Sequence, residues 1–122
     1  MHGKKYYEYT LDKLARAIWE YTFSTPILPF DAVWEYHSEG YLTIKDIDDL
    51  KSRATSLSKS EYLFLAIFLQ QYNNDLNNYI HDFNKIPSLV SIDKYNKAKL
   101  VELIDFFDSF PLLFNGERIK PA

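Results

Sequence analysis

The chain reads as an all-α protein, a compact bundle of five or six helices around a central apolar helix at residues 59–72. Two observations predict this: apolar residues recur at spacings of three and four along most of the chain, and capping residues stand before these stretches while proline or glycine ends them. A chain of 122 residues has the length of one domain, here a single helical domain over 1–122. Folding at that size buries roughly two thirds of the surface the open chain exposes. Hydrophobic residues make up 47% and aromatics 17%, which excludes the low-hydrophobicity signature of disorder.

The elements follow in order. Thr10 caps a first helix whose Leu11, Leu14, Ala15, Ile18, Trp19, Thr22 and Phe23 form one stripe. Pro26 and Pro29 prevent its continuation, and Asp31 opens a short second helix through Val33, Trp34 and His37 that stops at Gly40. Thr43-Ile44-Lys45-Asp46 resembles a capping box with Asp in place of Glu or Gln, and Ile44, Ile47, Leu50, Ala54 and Leu57 follow it at helical spacing.

Ser58-Lys59-Ser60-Glu61 is a full capping box. It leads into Tyr62, Leu65, Leu69 and Tyr72 on one side with Phe64, Ile67 and Phe68 on others, so this helix is the expected centre of the core. The polar run from Asn73 to Asn78 either breaks the chain or carries a weak helix with Leu76, Tyr79, Ile80 and Phe83 as its stripe, ended by Pro87. Ser91 opens the last long helix, with Leu100, Leu103, Ile104 and Phe107 facing inward and Asp93, Lys97, Glu102, Asp105 and Asp108 outward. Pro111 ends it, and Asn115-Gly116 suits a short C-terminal hairpin between Leu112-Leu113-Phe114 and Arg118-Ile119.

Composition narrows the function classes. Without cysteine there is no disulfide, thiolate nucleophile or Cys-containing zinc site, and a reducing, cytoplasmic setting is expected. The first residues run from Lys4-Lys5 into Tyr6-Tyr7 rather than into an apolar signal segment, and the longest apolar run, Tyr62 to Leu69, is too short to span a bilayer. No membrane partner is expected. A net charge of −3 argues against binding dominated by nucleic-acid phosphates.

No catalytic or metal-binding constellation emerges. The histidines are His2, His37 and His81, with no pair one helical turn apart, and zinc needs three or four converging ligands. His81-Asp82 points two ways on a helix, and Asp46, Asp48 and Asp49 lack the alternating ligands and turn glycine of a calcium loop. No Gly-flanked nucleophile occurs, and three glycines cannot build a phosphate-cradling loop. The expectation is a non-catalytic protein without cofactor or metal.

Two charge asymmetries remain. Asp31, Glu35, Glu39, Asp46, Asp48 and Asp49 face a single base, Lys45, over their stretch, and Glu102, Asp105 and Asp108 recur every three residues in the last helix. An ordinary solvated face explains each set; the sharper reading is that they meet a partner protein with a basic surface, steering encounter and orientation. Residues 44–57 and 58–72 also allow a helix-turn-helix, but the second helix offers few side chains to base edges or phosphates.

The run Tyr41-Leu42-Thr43-Ile44-Lys45-Asp46-Ile47-Asp48-Asp49-Leu50, then Leu57-Ser58-Lys59-Ser60-Glu61-Tyr62, with Leu28-Pro29-Phe30 upstream, resembles a helical segment of ArdA-type antirestriction proteins over residues 28–84. Members of that family are elongated, strongly acidic dimers that imitate the DNA phosphate backbone and occupy type I restriction-modification enzymes. The resemblance implies that Asp31, Glu35, Glu39, Asp46, Asp48 and Asp49 act as phosphate mimics. A net charge of −3 is small beside a duplex, which carries one phosphate charge per ~1.7 Å of axis.

The sequence therefore reads as a non-catalytic protein-binding module, an inhibitor or accessory protein of a phage or mobile element, using an acidic, Tyr-rich surface. The aromatic content leaves room for an exposed apolar patch and hence a homodimer. The alternatives are a nucleic-acid-binding regulator using Lys94, Lys97, Lys99, Lys4 and Lys5, and a small enzyme in which His37 or His81 meets a carboxylate in a pocket.

Overall fold

The computed structural model describes residues 11–23, 26–38, 40–80, 92–111 and 113–114. Among them are helices α1 (Leu11–Thr22), α2 (Phe30–Val33), α3 (Ile47–Ala54), α4 (Lys59–Tyr72), α5 (Asn74–Ile80) and α6 (Lys94–Ser109), and strands β1 (Trp34–His37) and β2 (Tyr41–Ile44). The fold is helix-rich but not all-α. The strands form a two-stranded antiparallel sheet in which Trp34 faces Ile44, Glu35 faces Thr43, Tyr36 faces Leu42 and His37 faces Tyr41.

Of the short helix expected from Asp31 to His37 only the turn Phe30–Val33 is helical; the hairpin replaces its continuation through Trp34 and His37 and the helix start expected at Thr43. The segments Trp34-Glu35-Tyr36-His37 and Tyr41-Leu42-Thr43-Ile44 are rich in aromatic and β-branched residues, which pack well on a pleated surface. Between them Gly40 takes φ 97°, a conformation that a side chain would penalise. Trp34 and Leu42 turn into the core while Glu35 stays exposed, so the side-chain period here is two. Helix α3 consequently starts at Ile47, where the Asp46 carboxylate accepts from the Asp49 amide.

Helix α4 occupies the centre, as its cap and apolar run predict. The Ser58 hydroxyl accepts from the Glu61 amide and lies 3.2 Å from Glu61 Oε1, to which it donates. Tyr62, Phe64, Leu65, Ala66, Phe68 and Leu69 are all buried. The Phe68 ring meets those of Trp19, Phe23, Phe107 and Phe114 at centroid distances of 4.9, 5.9, 5.2 and 5.0 Å. Helix α4 thus joins α1, α6 and the segment after α6 through one aromatic cluster.

The hairpin is tied to this cluster through Trp34, whose ring lies 5.6 Å from Trp19, 5.4 Å from Tyr72 and 5.2 Å from Phe114. The indole N–H of Trp19 donates to the Leu28 carbonyl at 2.8 Å, fixing the turn after α1 against the helix.

The polar run after α4 is helical. Asn73 closes α4 through its amide to the Leu69 carbonyl, and its side-chain oxygen accepts from the Leu76 amide, opening α5. Helix α6 is capped by Asp93, whose carboxylate accepts from the Asn96 amide at 2.9 Å. Its inward line is Lys99, Leu103 and Phe107. Leu103 and Phe107 match expectation, whereas Ile104, expected inside, is 52% exposed because one residue rotates the side chain by about 100° away from Leu103.

Thr10, Glu39, His81, Phe83, Pro87, Ser91 and the Asn115-Gly116 hairpin lie outside the described residues, as do His2, Lys4 and Lys5. No helix among the described residues is long and apolar enough to cross a membrane.

Candidate partner-binding surface

The acids expected to form one face between Asp31 and Asp49 mostly make contacts within the chain, although Asp31, Asp46 and Asp48 stay exposed. Both Asp31 carboxylate oxygens accept from the Arg16 guanidinium at 2.9 Å, and Lys45 Nζ donates to the Asp31 carbonyl. The hydrogen bond from Arg16 holds the Asp31 carboxyl below its ordinary range and raises the guanidinium in turn. Arg16 also lies over the Phe30 ring, 4.6 Å from its centroid, so this cation fastens α1 to α2 by two kinds of contact.

Asp46 is the cap of α3, and Asp48 accepts from the Tyr79 hydroxyl at 3.0 Å. Asp49 accepts from Arg53 Nε at 2.7 Å, while Arg53 Nη1 donates to the Ile27 carbonyl at 3.0 Å. Glu35 is exposed on β1, and its side chain has no ion-pair partner among the described residues. Glu39 is not among them.

The acids of α6 differ. Glu102, Asp105 and Asp108 are exposed, and none has an ion-pair partner among the described residues. Glu102 lies on the rim of a groove of about 340 Å³ between α1 and α6, lined by Leu14, Ala17, Ile18, Tyr21, Glu102 and Phe106. The groove exists because α1 carries two adjacent stripes. Ala15, Trp19 and Thr22 point into the core, while Leu14, Ile18 and Tyr21 follow one another a turn apart on the flank facing α6.

Near one end of this groove sits Lys99, only 4% exposed. Its ammonium is 3.5 Å from the Thr22 carbonyl, 4.9 Å from the Tyr95 ring centroid and 5.8 Å from that of Tyr21. Two tyrosine faces and a carbonyl take the place of a carboxylate partner. Lys99, expected among the lysines of a phosphate-binding face, is therefore covered, while Lys94 and Lys97 are exposed.

Sequence reasoning missed Tyr21, Phe106 and the buried position of Lys99. The signal for Tyr21 was the second stripe of the first helix. For Lys99 it was the four-residue interval to Leu103 and then to Phe107.

His37 stacks on Tyr41 at 4.5 Å, with its Nε2 2.8 Å from the Thr43 hydroxyl. Among the described residues no three His, Asp or Glu side chains gather so as to hold a metal ion. Comparison with protein-family models, with curated proteins and with solved structures finds no match.

Proposed function

We propose that this protein is a non-catalytic binding module that takes an amphipathic, basic segment of a partner protein in the groove between α1 and α6. The observation that carries the reading is the apolar lining of Leu14, Ile18 and Phe106 together with exposed Tyr21 and the exposed carboxylate of Glu102, which has no ion-pair partner among the described residues. An apolar side chain of the partner packs against this lining, and a lysine or arginine beside it meets Glu102. The rigid ring of Tyr21 gives contact area at low entropic cost.

A chain of net charge −3 without cysteine suits such a role in a reducing cytoplasm, as an inhibitor or accessory protein. The antirestriction reading asks the carboxylates from Asp31 to Asp49 to imitate phosphates. Their engagement with Arg16, Tyr79, Arg53 and the start of α3 favours the groove instead. The helix-turn-helix reading would place α4 in a DNA groove, and the burial of that helix favours the protein partner.

The test is selection of peptides from a random display library on the full chain, followed by NMR mapping of the winners. The expected result is enrichment of sequences pairing apolar with basic residues, shifts at Ile18, Tyr21 and Glu102, and at least tenfold weaker binding to Tyr21→Asp or Glu102→Lys. Winners that map elsewhere, or that bind both variants as well as the parent, overturn the reading.

A further inference from the structure

Helix α6 carries its charges in an order that its own backbone opposes. Exposed Lys94 and Lys97 occupy the first turn, and exposed Asp105 and Asp108 occupy the last turn and a half. The helix macrodipole favours acids at the start and bases at the end, so both groups stand at the wrong pole. Lys94 with Lys97, and Asp105 with Asp108, are also like-charged neighbours one turn apart. An isolated helix gains nothing from this pattern.

Between the two charged turns lie Val101 and Ile104, 57% and 52% exposed. Lys97, Val101, Ile104 and Asp108 recur at intervals of four, three and four, which puts them on one stripe. The stripe faces away from the buried line of Lys99, Leu103 and Phe107 and lies on the opposite flank from Glu102 and Phe106. It is therefore separate from the groove.

We infer that this stripe is a self-association surface, on which α6 of a second copy packs antiparallel about a two-fold axis between Val101 and Ile104. Lys97 precedes Val101 by four residues and Asp108 follows Ile104 by four. Antiparallel packing therefore sets Val101 against Ile104 of the second copy and Lys97 against its Asp108, with Lys94 and Asp105 flanking these pairs. Both ends match because an isologous contact repeats every pairing. A parallel pairing sets lysine on lysine and acid on acid. The antiparallel arrangement also brings opposite poles of the two macrodipoles together.

Two apolar side chains per copy make a small interface, and the expected dimer is weak, with Kd on the order of 0.1 mM at low salt and weaker as salt screens the charged ends. Sedimentation equilibrium of the full chain measures it directly. The variant Lys94→Glu/Lys97→Glu and the variant Asp105→Lys/Asp108→Lys each become monomeric, and an equimolar mixture of the two associates.

A chain with all four substitutions regains self-association but does not pair with the parent, because that combination again opposes like charges. Circular dichroism checks that each variant is folded, and the fourfold variant, whose charges agree with its macrodipole, supplies a stable reference. A parent chain monomeric at 1 mM in low salt overturns the inference. So do charge-reversed variants that dimerise like the parent, or a mixture that stays monomeric.

Discussion

The hydroxyl of Tyr79 donates to the carboxylate of Asp48 at 3.0 Å, and Lys51 stands over the same ring at 4.0 Å. One exposed tyrosine on α5 thereby binds an acid and a base of α3 together. An acid-rich stretch that looks available to a partner is here part of the fastening between two helices.

Tyr79 accordingly ionises above its ordinary value of 10.0, since its proton is held chiefly by the hydrogen bond to Asp48. NMR titration of the tyrosine rings checks this. Asp48→Asn moves the Tyr79 midpoint back toward that value and leaves distant tyrosines unchanged.

Acid destabilises the fold through Asp31 and Asp93, whose carboxyls lie below their ordinary 3.8, the first through its hydrogen bond from Arg16 and the second through the backbone hydrogen bond from Asn96. A depressed carboxyl contributes stability that is fully present above the unfolded value and lost as pH falls through the folded one. Melting temperature is therefore expected to fall as pH drops below about 4. Arg16→Gln shows a shallower fall over that interval, and a variant with an unchanged slope counts against the assignment.

Phe68 is fully buried and touches four other aromatic rings. Phe68→Ala leaves a cavity at the junction of α1, α4 and α6 and costs about 3–5 kcal/mol of unfolding free energy. Urea denaturation reads the loss, and a cost below about 1 kcal/mol contradicts this packing.

Asn77 is buried on α5, and neither side-chain amide atom has a hydrogen-bond partner among the described residues. An unsatisfied buried amide costs about 1–3 kcal/mol, so Asn77→Leu, which keeps the branched shape, stabilises the fold by about 1 kcal/mol. A destabilised variant by the same urea measurement shows that the amide has a partner.

Much of this architecture is legible in the residues. Ser58 and Glu61 announce the central helix, and the stripe from Leu14 to Phe23 announces the first. The hairpin is not, because Trp34 and His37, three residues apart, extend the helical interval begun at Val33, and a four-residue strand is too short to announce its own period. Only the burial of Leu42 and the turn at Gly40 decide between them, and both depend on tertiary packing. Helix α6 is recognised but rotated, since Lys99 reads as a surface charge until Tyr21 and Tyr95 enclose it. The candidate groove is the least legible part. Leu14, Ile18 and Tyr21 lie beside the core stripe of their helix, and periodicity alone cannot tell an unfilled flank from a filled one.

The two indoles, Trp19 and Trp34, are sealed from water and meet edge to face. They give the molecule a built-in optical gauge. Blue-shifted emission reports an intact interior, and a red shift appears when the seal between hairpin and first helix opens. Neither indole lines the α1/α6 groove, so an occupant seated there leaves the emission maximum in place, and light separates ligation from melting in a single cuvette.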